Sequence, residues 1–232
     1  MFFFDPYYLL FMAPAFILMM LAQLYVSSTY RKWSRVPAQS RMSGAQAAER
    51  LIQHGNLYDV QVQGVRGKLT DHYNPRTKVL RLSQSVYRDA SVASLAIAAH
   101  ELGHAMQDQE GYFPLRFRAM LIPVVNIGSY LGWILIMLGL FLRLTDLAWL
   151  GVLVFSGGTI FALATLPVEL DASARAKRLL SNSGLIVGED EQRGVKAMLN
   201  AAALTYVAAL FTSVLQLLYW VSLVAGIGGR RR

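Results

Sequence analysis

Residues 95–104 read LAIAAHELGH, and the fold and chemistry that we predict both depend on this stretch. Its first five residues include neither Gly nor Pro and favour a helix. His100 and His104 are four residues apart, so on a helix both imidazoles project from the same face. That spacing lets both rings bind one zinc ion, and it puts Glu101 beside the metal as a candidate general base.

The composition is typical of a membrane protein. Hydrophobic residues make up 55% of the chain and charged residues only 16%, well below the roughly 25% of an ordinary soluble domain. The net charge is +8, but no stretch interleaves aromatic and basic residues as an RNA-binding sheet does, so we expect no nucleic acid partner. The chain has no cysteine. Any zinc must therefore be held by histidine and carboxylate.

Four apolar segments are long enough to cross a bilayer, which requires about 20 residues. They cover residues 7–25, 120–142, 147–168 and 197–227. Only a short loop separates the second segment from the third, which predicts a tight transmembrane hairpin. Polar residues near the beginning of the last segment leave open whether it crosses the membrane once.

Basic residues predict the orientation of the chain in the membrane. Of the 22 Lys and Arg residues, 18 lie in residues 31–118 and 169–200, and none precedes the first apolar segment. Because cytoplasmic segments carry the excess of Lys and Arg, both regions should face the cytoplasm. The predicted organisation is a first transmembrane helix (1–30), a cytoplasmic domain with the H-E-x-x-H helix (31–118), a transmembrane hairpin (119–168), a cytoplasmic segment (169–196) and a fourth transmembrane helix with a basic tail (197–232).

The polar regions predict short helices around a small β-hairpin or sheet. Helices are expected over residues 91–109, which include the H-E-x-x-H motif, and over residues 169–182. Residues 58–62 alternate as a strand does, and residues 68–70 and 79–82 flank turn signals, so the latter two predict a hairpin. The strand at 79–82 comes just before the motif helix and could offer an edge to an extended peptide. The predicted fold is therefore mainly α, multi-pass, with a zincin-like domain.

A catalytic zinc site needs a third protein ligand, and two carboxylates compete for that role. Glu169 is the first charged residue after the transmembrane hairpin returns to the face of His100 and His104. A glutamate ligand from a downstream helix is the gluzincin arrangement. Glu110 occupies the last position of the metzincin pattern H-E-x-x-H-x-x-G-x-x-H/D, but Gln107 stands where that pattern needs glycine for a sharp turn. We therefore predict Glu169 as the third ligand.

Several motifs in combination resemble a known family of membrane enzymes. They are LTDHY (69–73), SVA (91–93), HELGHAMQ (100–107), GY (111–112), LPVELDAS (166–173) and LNAAALTY (199–206). This set, which extends over nearly the whole chain, is similar to the YugP-type membrane neutral zinc metallopeptidases, which are gluzincins distantly similar to HtpX-type proteases. The resemblance implies an enzyme of the bacterial inner membrane. It implies His100, His104 and Glu169 as ligands of one zinc ion and Glu101 as the base.

The residues that support these ligands are less closely specified. HtpX-type enzymes carry E-x-x-x-D, whereas here Ser173 stands four residues after Glu169 and Asp171 stands two residues after it. Either side chain could support the ligands. The reaction also needs a donor that stabilises the oxyanion. The candidate donors are His72, Tyr73 and Tyr206.

Together these inferences predict a zinc metalloendopeptidase that hydrolyses polypeptides at the cytoplasmic face of the bilayer. The main alternative is a non-enzymatic, zinc-stabilised membrane scaffold, but a structural zinc site usually closes all four positions and has no use for a base at Glu101. An intramembrane protease of the site-2 type is disfavoured because the motif helix is too short to span. A transporter is disfavoured because the apolar segments hold few ionisable groups.

Overall fold

The computed structural model describes residues 6–229, in which the chain is mainly helical with one small sheet. Its helices are α1 (Pro6–Trp33), α2 (Gly44–His54), α3 (Gln84–Arg88), α4 (Val92–Gln109), α5 (Phe113–Phe141), α6 (Thr145–Asn182) and α7 (Glu189–Gly229). Its strands are β1 (Gln61–Val65), β2 (His72–Asn74) and β3 (Val79–Ser83). These elements confirm a mainly α fold with a small sheet.

Within residues 6–229, four helices are long and apolar enough to cross a membrane, namely α1, α5, α6 and α7. Their positions agree with the four apolar segments predicted from the sequence. At most 22% of the most apolar part of each helix is buried within the protein, which leaves the apolar surface that a bilayer would cover. Asp5 and the basic tail Arg230–Arg232, which contribute to the predicted orientation, lie outside the described residues.

Helix α6 corrects one prediction. The prediction of a separate helix that begins at Glu169 is wrong, because α6 continues without a break from the apolar segment through this residue. The end of the helix at residue 182 agrees with the prediction. Pro167 lies inside the helix and has no N–H to donate to the preceding turn. Ala172 and Ala176, further along, are fully buried. We attribute the continuity to this packing, since tertiary contacts supply most of the stability of a protein helix.

The chain divides into two compact units. The described part of the first unit comprises residues 6–22, 116–167 and 205–229. Its core contains Ile136, Tyr219 and Trp220. Helices α5 and α6 approach closely in this unit, since a Cβ atom at Gly139 would lie 2.4 Å from the backbone nitrogen of Ala148. Small residues at such contacts are typical of packed membrane helices.

The second unit comprises residues 23–115 and 168–204 and contains the sheet. The strand order is β1–β3–β2, with β1 parallel to β3 and β2 antiparallel to it. Strand β3 is thus paired on both sides. The prediction that residues 79–82 offer an edge to substrate is therefore wrong, and the outer strand of the hairpin is β2.

The predicted hairpin is present, but two strands begin later than expected. Its first strand is β2 rather than residues 68–70, because Gly67 and Leu69 adopt positive φ angles of 114° and 56°, which interrupt an extended strand. Strand β1 replaces the predicted strand at 58–62, because the N–H of Val60 donates to the carbonyl of Leu57 and closes a turn there.

Helix α4 lies in the core of the second unit. The side chain of Ser91 accepts a hydrogen bond from the N–H of Ser94 at 3.1 Å and caps the helix. The predicted helix over residues 91–109 is confirmed. Ala93, Ala96 and Ala99 are fully buried, so small side chains let neighbouring elements pack directly on the helix. Helix α4 is therefore a firmly packed support for the H-E-x-x-H residues.

Candidate metal centre and active site

Three side chains of the second unit, from α4 and α6, converge on one point. The Oε2 atom of Glu169 lies 3.3 Å from Nε2 of His100 and 3.4 Å from Nε2 of His104. One ligand atom from each of these residues lies within 4.8 Å of the others, close enough for all three to hold one metal ion. Helix α4 supplies the two histidines from successive turns, and α6 supplies the carboxylate.

Glycine at position 103 permits this convergence. A Cβ atom at Gly103 would lie 2.4 Å from the carbonyl oxygen of Ala172, far closer than van der Waals contact allows. Because glycine has no side chain, the backbones of α4 and α6 can approach between the two histidines. Glu169 precedes Ala172 by about one helical turn, and its carboxylate consequently faces both imidazole rings.

The group of side chains suits zinc. Two imidazole nitrogens and one carboxylate oxygen match the ligands of a catalytic zinc site, which keeps a further position open. Glu169 is only 2% exposed, and a buried carboxylate is costly unless a cation is near. Burial lowers the pKa of His104, but Glu169 and Glu101 raise it more, so that the net shift is upward. These carboxylates create a negative potential that favours a bound cation.

Each of the two histidines has a second partner at its Nδ1 atom. The hydroxyl oxygen of Ser173 lies 3.2 Å from Nδ1 of His100. The amide oxygen of Gln107 lies 3.0 Å from Nδ1 of His104. A histidine that is hydrogen bonded at Nδ1 presents its Nε2 atom to a metal. Of the two predicted supporting residues, Ser173 thus contacts a candidate ligand directly, whereas Asp171 contacts Gln107.

Glu101, the candidate base, is hydrogen bonded to the sheet. The backbone N–H of Tyr73 in β2 donates to Oε2 of Glu101 at 3.0 Å. Strand β2 is an outer strand of the sheet, so this N–H can serve α4. The bond restricts rotation of the Glu101 carboxylate.

The three candidate oxyanion donors lie in different surroundings. The hydroxyl of Tyr73 donates to Asp108 at 2.8 Å, and burial together with this carboxylate raises the pKa of Tyr73. His72 is exposed, and its Nδ1 donates to the carbonyl oxygen of Thr70 at 2.9 Å. Tyr206 is partly buried on α7 and belongs to the first unit. A catalytic role for any of the three stays a prediction.

Glu110, the rival ligand, is bound elsewhere. Its Oε1 atom lies 2.6 Å from Nη1 of Arg175, and it is not part of the group that could hold a metal. The Nε atom of Arg175 also donates to Oδ2 of Asp171 at 2.5 Å. Arg175 therefore joins the carboxylates of Glu110 and Asp171.

Sequence reasoning does not single out Gln107 or Arg175 as site residues. Gln107 enters it only as the residue in the glycine position of the metzincin pattern. The signal that could have identified Gln107 is its polar side chain in an apolar helix, three positions after His104. Such a side chain needs hydrogen-bond partners. Arg175 offers no comparable signal, because one of its partners, Glu110, is distant in sequence and the pairing depends on the fold.

Known proteins that are similar to this chain are described as zinc metallopeptidases or as a membrane protease. A family model described as "Putative neutral zinc metallopeptidase" matches residues 8–225. The chain is 45% identical over 200 residues to "Putative membrane protease YugP" of Bacillus subtilis (strain 168), a match that covers 86% of this chain and 88% of that protein. No solved structure matches the chain. The region matched by the family model includes α4, α6 and the whole candidate metal group.

Proposed function

Because the chain belongs to the family described as "Putative neutral zinc metallopeptidase", we propose that it is a membrane-bound zinc metalloendopeptidase of the gluzincin type. In this proposal His100, His104 and Glu169 hold one zinc ion per chain, and Glu101 is the general base. The observation that carries the proposal is the approach of these three ligand atoms to within 4.8 Å of one another. They lie beside the glutamate that the H-E-x-x-H spacing provides for proton transfer.

In the proposed peptide hydrolysis, the metal ligands, Glu101 and Tyr73 have separate roles. Zinc held at this site would supply a Lewis acid that lowers the pKa of water and polarises a carbonyl group. Glu101 accepts a proton from the attacking water on its carboxylate and then transfers that proton to the leaving nitrogen. The water oxygen bonds to the carbonyl carbon and the C–N bond breaks, so that the peptide bond yields one carboxylic acid and one amine. The hydrogen bond from the Tyr73 N–H holds the Glu101 carboxylate in one orientation for both transfers.

The proposed location is the cytoplasmic face of a bacterial cell membrane. Four helices of membrane-spanning length support the membrane location. The concentration of 18 of the 22 Lys and Arg residues in residues 31–118 and 169–200 supports a cytoplasmic site, because these regions contain the H-E-x-x-H motif and Glu169. The expected substrates are polypeptides that reach the inner surface of the membrane.

The experiment that tests this function compares wild type with Glu101→Gln. Both full-length proteins are purified in detergent, loaded with zinc and assayed on an unfolded polypeptide such as casein, with zinc content measured in each. We expect equal zinc and a rate at least about 100-fold lower in the variant, since general acid–base catalysis contributes roughly 10²–10⁴-fold.

Two outcomes would contradict the proposal. Equal cleavage by wild type and Glu101→Gln would assign the activity to another residue or to a contaminating protease. No cleavage by either protein at full zinc occupancy would favour the zinc-stabilised scaffold.

A further inference from the structure

The buried side chain of Gln107 has no part in the mechanism above, yet it contacts a candidate metal ligand. Gln107 is fully buried on α4, where an amide is costly unless its polar atoms are paired. Three hydrogen bonds pair them. Its oxygen lies 3.0 Å from Nδ1 of His104, and its nitrogen lies 2.8 Å from the carbonyl oxygen of Val168 and 2.8 Å from Oδ2 of Asp171.

These partners determine which way the amide points. The carbonyl of Val168 and the ionised carboxylate of Asp171 can only accept hydrogen bonds, so the group that faces them must be the NH₂ group. The amide oxygen then faces His104. Because this oxygen can only accept, Nδ1 of His104 must carry the proton. The Nε2 atom of His104, which lies 3.4 Å from Oε2 of Glu169, is then the nitrogen available to a metal ion.

Asp171 is held in its accepting role by Arg175. The Nε atom of Arg175 donates to the same Oδ2 atom of Asp171 at 2.5 Å, and a charge-assisted bond of this kind favours the ionised carboxylate. The guanidinium is itself fixed by Glu110 at 2.6 Å and lies 5.6 Å from the centre of the Tyr112 ring. The direction of the Gln107 amide is therefore set by a chain of fixed partners.

We infer that Gln107 is a positioning residue that holds His104 in the Nδ1-protonated form and so prepares its Nε2 atom for zinc. This inference rests on the proposed function. Asp171 acts through Gln107, because together with the Val168 carbonyl it sets the direction of the amide.

The Nδ1 partners of the two histidines differ in how strictly they select the neutral form of the ring. A serine hydroxyl can donate or accept, so Ser173 is compatible with either neutral form of His100. The Gln107 amide, whose direction is fixed by the Val168 carbonyl and Asp171, is compatible with only one neutral form of His104. The inference also explains why the residues two and four positions after Glu169 are both polar, since Asp171 serves one histidine through Gln107 and Ser173 serves the other directly.

Zinc affinity of the full-length protein in detergent tests this role. Wild type and Gln107→Met are compared by competition with a chelating dye, because methionine has a similar volume and adapts to irregular cores but neither accepts from His104 nor donates to Asp171. Asp171→Asn is the conservative comparison. The amide oxygen that it introduces can still accept from Gln107 and Arg175, so the direction of the Gln107 amide is kept.

We expect Gln107→Met to raise the zinc dissociation constant about 10–100-fold, the usual cost of losing the partner of a ligand histidine. The visible spectrum of bound Co²⁺, which reports ligand geometry, should change as well. Asp171→Asn, which keeps the amide direction, should bind zinc more tightly than Gln107→Met. Thermal unfolding of the metal-free proteins shows that each is folded. If Gln107→Met does not fold, Gln107→Leu takes its place in both comparisons.

A wild-type dissociation constant and Co²⁺ spectrum in folded Gln107→Met would overturn the positioning role and leave the proposed function intact. Zinc binding by Asp171→Asn that is no tighter than that of the Gln107 variant would overturn the role of amide direction. Failure of the wild type itself to bind zinc would overturn the proposed function, and this inference with it.

Discussion

Helices α4 and α6 supply the candidate metal group in two different ways. Helix α4 contributes His100 and His104, whose relative position follows from helix geometry alone. Helix α6 contributes Glu169, which is 69 residues after His100 in the chain and reaches the histidines only because the two helices touch at Gly103. The comparison shows that the H-E-x-x-H motif specifies the relative position of two candidate ligands locally, whereas the approach of the third candidate depends on tertiary packing.

The largest effect is expected where the two helices touch. Gly103→Ala would place a methyl carbon 2.4 Å from the carbonyl oxygen of Ala172, so α6 must move away and carry Glu169 with it. We expect zinc affinity to fall at least about 100-fold, since a misplaced ligand costs no less than a lost supporting contact. Overpacking should also lower the free energy of unfolding by about 1–3 kcal/mol. Equilibrium dialysis and thermal unfolding measure the two effects.

Gly157→Ala is the matched control for this variant. Gly157 also lies in α6, but nothing lies within 4 Å of a Cβ atom at that position. Its zinc content should equal that of wild type. Full zinc occupancy in Gly103→Ala would show that the close approach of α4 and α6 is not needed for the site.

A smaller effect is expected from Ser173→Ala, which removes support that α6 gives to a ligand on α4. The variant loses one neutral hydrogen bond to Nδ1 of His100, and such a bond contributes about 1 kcal/mol. The zinc dissociation constant should therefore rise about fivefold in the dye competition assay. Ser181→Ala, at an exposed position on the same helix, should leave affinity unchanged. Equal affinities of the two variants would remove Ser173 from the site.

The smallest effect is expected from Glu110→Gln. If the site were specified locally, Glu110 at the C-terminal end of α4 would be the third ligand. Its side chain is instead 54% exposed and paired with Arg175, and exposed ion pairs contribute about 0–1 kcal/mol. Zinc affinity should remain within about twofold of wild type, as measured by the same competition. Loss of zinc in this variant would return the third-ligand role to α4.

The sequence predicts features that depend on short-range patterns. The α4 helix, the four apolar helices and the hairpin each follow from residues close together in the chain. The choice of Glu169 over Glu110 also follows from the sequence, because a glutamine in the glycine position disfavours the metzincin turn. In the structure the chain makes no sharp turn at Gln107, because α4 continues through this residue to residue 109.

Features that depend on long-range packing could not be predicted in the same way. The central position of β3 requires pairing with β1 and β2 at once. The unbroken course of α6 through Pro167 rests on burial that local propensity does not report. Gln107 on α4 pairs with Asp171 on α6, and the whole of α5 lies between them in the chain. In each case the deciding partner is remote in sequence.

The central claim is that Glu169 from α6 completes the zinc site begun by α4. The most direct measurement is the zinc content, after dialysis against a weak chelator, of wild type, His104→Ala and Glu169→Ala, with thermal unfolding of the metal-free proteins as the check on folding. We predict one zinc ion per wild-type chain and equal loss of zinc from both folded variants. Full zinc in folded Glu169→Ala, beside loss in His104→Ala, would contradict the claim.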